Sequence, residues 1–272
     1  MASGPKTIRR DWTSDELKLA FHLYCQMPFG RMHKTAPEIV ELANLIGRTP
    51  SAVAMKLVNF ASLDPSITNT GRSGLGNTSK GDREVWQTFS TDLGRLDDDC
   101  ELILDNLKPN RQHDELEMGG LAESPASFVG ETQQAVVHIR KRQNFFRRSV
   151  LASYDGKCCM SGVTTPELLI ASHIVPWSSD VENRLNPRNG LCLSAIHDKA
   201  FDRGLITVTS DFSIRVSEKI KQEGQRTKLG KMLSGLEGEK IIAPKRFLPA
   251  PEFLQWHNDV CFERKANGSD DI

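Results

Sequence analysis

The chain has 272 residues with 35 basic and 35 acidic side chains, so its formal charge is zero and no global excess of cations announces a nucleic-acid partner. Six cysteines over that length are too sparse for a disulfide scaffold, and neither a leader nor a membrane-length apolar run is evident. These features exclude a membrane protein and predict a reducing, cytoplasmic setting.

Charge is instead distributed locally. Asp97, Asp98, Asp99, Glu101 and Asp105 crowd one stretch, whereas residues 136–150 hold Arg140, Lys141, Arg142, Arg147 and Arg148 with no acid. The second stretch suits phosphate contact, although a solvated basic helix face has the same composition.

From Trp12 to about Leu107 the periodicity is helical. Thr13 to Glu16 forms a capping box before Leu17, Leu19, Ala20, Leu23 and Tyr24. Thr35 to Glu38 repeats the start signal, and Gly47 ends that helix before Thr49-Pro50 opens another through Ala61. Ala43, Gly47 and Val53 have the spacing of a helix-turn-helix: a small residue at the crossing, glycine in the turn, an aliphatic in the second helix. On that reading Ser51, Lys56 and Asn59 are the polar side chains that face a DNA groove. The same spacing also occurs in plain helical bundles. Further helices are predicted around Asp82–Phe89 and Cys100–Leu107, with a Gly/Ser/Thr/Asn-rich loop between Pro65 and Gly81.

The polar, aperiodic stretch that follows reads as a linker, which divides the chain into a helical module at 1–110, a linker at 111–133 and a second domain at 134–272. In the second domain Phe145, Phe146, Val150, Leu151 and Tyr154 form one apolar helix face, and Asp155-Gly156 makes a turn. Leu168 to Val175 reads as a strand that places His173 near its end, and Asn189 to Leu193 as the returning strand. Ser194 is positioned to cap a helix bearing His197, Ala200 and Phe201. Residues 205–209 and 212–216 read as a hairpin, Lys219–Leu233 as one exposed basic helix, and the stretch from Pro251 as a closing segment. Trp177 reads as a lid on the core in preference to a substrate contact.

Within LIASHIVPWSSDVENRLNPRNGLCLSAIHDKAFDRGLI, His173, Asn189 and His197 lie on a strand, a turn and a helix. Phosphodiester cleavage requires a base for water, a cation for the developing oxyanion and a group that fixes the base's tautomer. This segment resembles the HNH endonucleases, and the flanks from Arg140 to Gly162 and from Arg246 to Phe262 resemble the restriction-type branch of that family. The resemblance implies an α+β chain: a helix-turn-helix-like all-α module joined to a ββα-metal nuclease domain. It implies a metal-dependent DNA endonuclease in which His173 is the general base, Asn189 braces the loop around it and His197 is a metal ligand. It further implies one divalent ion, magnesium foremost with manganese or nickel as alternatives, a double-stranded DNA substrate, a homodimer for double-strand cutting, and a restriction or defence role.

Two departures stand out. Where many relatives carry a metal-binding aspartate before the first histidine, this chain has Ser172, leaving Asp198 or, by preference, Asp202 to supply the charge. Cys159 and Cys192 each lack the second member of a Cys-x-x-Cys pair, so no four-cysteine structural zinc is expected. Arg188 and Arg203, which flank the motif, are candidate phosphate clamps together with Arg140 and Arg142. The contrasting reading is a DNA-binding regulator with a silent nuclease domain. An RNA-directed enzyme is disfavoured because no aromatic stacking platform is evident.

Overall fold

The computed structural model describes residues 10–69, 78–107 and 130–262, with side chains of the last segment described from 142 onward. The predicted linker, apart from 130–133, and the side chain of Arg140 therefore lie outside the described residues. No described helix is long and apolar enough to cross a membrane.

Among the described residues up to 107 the α-helices are α1 (Ser14–Gln26), α2 (Pro37–Leu45), α3 (Pro50–Leu63), α4 (Pro65–Thr68), α5 (Lys80–Phe89) and α6 (Leu93–Leu107). The capping boxes that start α1 and α5 are formed, by Thr13 with Glu16 and by Ser79 with Asp82. At α2 the cap residue is Ala36, without a side-chain hydrogen bond, so Pro37 alone sets the start. Between α2 and α3, Gly47 adopts φ +65°, a value most side chains avoid, and Ala43 and Val53 are fully buried. Phe21, Tyr24 and Phe60 pack at the centre of this bundle, with Trp86 edge-on to Phe21 and Tyr24.

The second half opens with α7 (Gly130–Ser153), which starts earlier than predicted and absorbs the end of the linker. The Asp155-Gly156 turn follows, both residues having positive φ. Then come β1 (Leu169–His173), β2 (Gly190–Ser194) and α8 (Ala195–Asp202), a ββα unit in one continuous run. β1 and β2 are antiparallel, with His173 opposite Gly190 and Leu169 opposite Ser194. A second hairpin pairs β3 (Ile206–Val208) with β4 (Ile214–Val216). The single helix predicted at 219–233 is instead two, α9 (Glu218–Gly224) and α10 (Lys228–Ser234), broken at Gln225–Thr227 where Thr227 recaps the chain. They meet where Gly230 has no Cβ to strike the Glu223 backbone 2.5 Å away. α11 (Pro251–Val260) closes the domain.

The halves are joined by buried polar contacts as well as apolar ones. Arg246, 1% exposed, donates to the carbonyls of Tyr24 and Met27 where α1 ends and lies over the Tyr24 ring. A cation there meets the negative end of the helix. His22 stacks on Phe145 of α7 and binds Asp97, and Arg142 pairs with Asp98. The acidic stretch of α6 thus neutralises part of the basic stretch of α7.

Candidate active site

Gly190 sets the shape of the hairpin's loop end, where His173 pairs with it. A Cβ there would lie 2.4 Å from Val150 Cγ2 and 2.9 Å from Phe146 Cζ, so only glycine lets α7 approach β2 so closely. The approach brings the Phe146 ring flat against His173, with centroids 3.7 Å apart. Trp177 stands edge-on to the same imidazole at 5.6 Å.

His173 Nε2 lies 2.9 Å from the carbonyl oxygen of Arg184. A carbonyl only accepts, so Nε2 carries the proton and Nδ1 keeps the lone pair. Nδ1 has no hydrogen-bond partner among the described residues. Burial holds the His173 pKa below its ordinary value despite the opposing backbone hydrogen bond, which favours neutral imidazole at neutral pH.

Asn189, fully buried in a 3-10 turn before β2, uses its whole amide. Oδ1 accepts from Val175 N–H at 2.8 Å, and Nδ2 donates to the Val175 and Asn183 carbonyls at 3.1 and 3.4 Å. Its own carbonyl accepts from Ile174 N–H. Asn189 therefore ties the residues just after His173 to the segment that presents the Arg184 carbonyl.

The opposite end of the hairpin is different. His197 is 3% exposed, and its Nδ1 meets Ser194 Oγ at 2.9 Å and Cys158 Sγ at 3.4 Å. Ser194 is the N-cap residue of α8 but makes no capping hydrogen bond, because its hydroxyl goes to the ring instead. Burial pushes the Cys158 thiol up, but hydrogen bonds from His197 and Ser161 outweigh it and bring the thiol to about 6. His197 Nε2 is buried without a hydrogen-bond partner, and so is the hydroxyl of Ser172. Alternation along a strand turns Ser172 to the face opposite His173.

The cavity beside His173 is lined by α7 and β1 residues and Trp177, and no described contact joins it to His197. Among the described residues no three His, Cys, Asp or Glu side chains gather in a metal-holding group. Asp202 is exposed near the end of α8. Five residues beyond His197 is about 140° further round the helix, so its carboxylate points away from that buried ring.

Other predicted contacts are also placed. Arg188 is exposed and donates to the Leu248 carbonyl, and Arg203 is exposed just after α8. Arg142 is committed to Asp98. On α3, Ser51 is exposed, but Lys56 is 6% exposed and paired at 2.7 Å with the buried Asp82, and Asn59 is 8% exposed. Lys56 and Asn59 thus face the bundle and not a groove, a correction that follows from the carboxylate α5 brings to that face. Spacing does not reveal Arg184, which acts through its carbonyl, or Cys158, which is 39 residues from His197.

Residues 158–209, which contain the ββα unit, match a family model described as HNH endonuclease. No curated protein matches the chain.

Proposed function

We propose that the protein is a metal-dependent DNA endonuclease whose general base is Nδ1 of His173. The observation that carries this reading is the hydrogen bond from His173 Nε2 to the Arg184 carbonyl, which leaves one lone pair on a neutral ring beside an open cavity. In the proposed reaction, that nitrogen takes a proton from water as its oxygen attacks phosphorus, while the opposite P–O ester bond breaks and the alkoxide released takes a proton from solvent. The Arg184 carbonyl steadies the imidazolium that results. Asn189 acts earlier, holding loop and ring in register so that little reorganisation remains at the moment of reaction.

HNH nucleases generally use a divalent ion. His197 Nε2 and Ser172 Oγ, each buried without a hydrogen-bond partner, would be the chain's own donors to such an ion. When bound, such an ion supplies positive charge to the transition state and the leaving oxygen. A nitrogen donor with no carboxylate beside it favours manganese or nickel over magnesium.

The helical half is proposed to position DNA, with Ser51 on its exposed surface, and Arg188 and Arg203 to touch phosphates. A restriction or defence role and pairing of two chains for double-strand cuts complete the proposal. The test is incubation of supercoiled plasmid with purified protein and magnesium, manganese or nickel, beside His173→Ala. Nicking that needs both the ion and His173 supports the enzyme. A second reading, a DNA-binding regulator with a silent nuclease domain, draws on the serine at 172 and the outward Asp202. Specific binding without nicking in any metal would establish it.

A further inference from the structure

The cavity beside His173, about 250 Å³, contains groups that the catalytic reading leaves unused. Gln143, Phe146 and Arg147 of α7 face Ala171 and His173 of β1 across it, and Trp177 also lines it. Arg147 is exposed, and its Nη2 donates to the Leu169 carbonyl at 2.9 Å, which anchors the head group at the start of β1. A guanidinium has five N–H donors, so this anchor leaves most of them available. Among the described residues no carboxylate pairs with Arg147. The neighbouring Arg148 lines a separate cavity with Glu38 and Glu41. Ala171, midway along the strand, adds only a methyl group to the lining. Phe146 is buried and already stacked on His173, so it offers no face to a nucleobase.

We propose that this cleft seats the sugar-phosphate backbone of the strand being cut, with Arg147 holding the phosphate next to the scissile one. A cation anchored by backbone, with donors to spare and lining the same cleft as the base, matches a phosphodiester. The inference rests on the nuclease reading only in taking His173 as the reacting end of the cleft.

The test measures binding without turnover, by fluorescence anisotropy of a short labelled duplex in EDTA across a series of KCl concentrations. Each neutralised phosphate contributes about 0.9 to the slope of log affinity against log salt. Arg147→Gln lowers the slope by about that amount, while Arg147→Lys and Arg148→Gln keep the wild-type slope. Equal slopes for wild type and Arg147→Gln, with matching thermal melts, overturn the assignment, as does an equal loss in Arg148→Gln. The two readings separate cleanly. A protein that binds with an Arg147-dependent slope yet nicks nothing retains the cleft and loses the nuclease. One that nicks plasmid with a slope indifferent to Arg147 retains the nuclease and loses the cleft.

Discussion

At the His173 end of the hairpin the ring is held by a backbone carbonyl, a flat aromatic and a loop that Asn189 grips with both ends of its amide. At the His197 end the ring is also held, by Ser194 and Cys158, but its buried Nε2 has no hydrogen-bond partner, and among the described residues no three His, Cys, Asp or Glu side chains form a metal-holding group. Orienting a base needs only neutral dipoles, which a folded loop supplies from its own backbone. Holding a hard cation needs charge, and the position beside His173 where a carboxylate would serve is Ser172. The proposed base is therefore built into the fold, whereas the proposed metal end depends on ligands that DNA and water bring.

The largest effect breaks the first end. His173→Ala removes the base, and plasmid nicking in manganese falls by about 10²–10⁴-fold, the usual contribution of a general base. The next sharpens the contrast from the other side. Ser172→Asp restores a carboxylate, and calorimetric manganese affinity rises by about tenfold or more, as added ligand charge generally does. Without metal the same variant melts lower, since the new charge sits in a buried position. An unchanged affinity would remove Ser172 from the metal end.

Asn189→Ala leaves the Val175 N–H, the Val175 carbonyl and the Asn183 carbonyl short of a partner. Each buried group left unmet costs about 1–3 kcal/mol, measurable by denaturant melts, and nicking drops with the loss of ring orientation. Gly190→Ala forces a methyl into Val150 and Phe146, and overpacking of that kind costs about 1–3 kcal/mol. Activity should fall with it, because Phe146 must move off His173.

The smallest effect is in pH. The His173 pKa is lowered by burial, so its contribution to stability is complete above about 6.5. That contribution is lost as pH falls through the lowered folded value, because the unfolded chain takes the proton first. The acid limb of kcat/KM accordingly lies below 6.5 and vanishes in His173→Ala. A limb centred above 6.5 would contradict the burial argument.

Much of the architecture was legible. Local chemistry announces the start of α1 through Thr13 and Glu16 and the turn at Asp155-Gly156, and strand periodicity places His173 at the end of β1. What escaped depends on partners distant in sequence. Lys56 reads as a groove-facing cation until Asp82 arrives from α5, 26 residues on, to pair with it. Ser194 reads as a helix cap, but a buried imidazole competes successfully for its hydroxyl. The Arg184 carbonyl, on which the tautomer of His173 rests, belongs to the backbone, and no side-chain pattern names it.

The central claim is that the fold keeps His173 neutral with its proton on Nε2. Two-bond nitrogen–proton correlation spectra of uniformly labelled protein at pH 7, assigned by comparison with His173→Ala, report that state directly. The account predicts the pattern of a neutral Nε2–H tautomer that persists below pH 6.5. A Nδ1–H tautomer, or an imidazolium already present at pH 7, would contradict it.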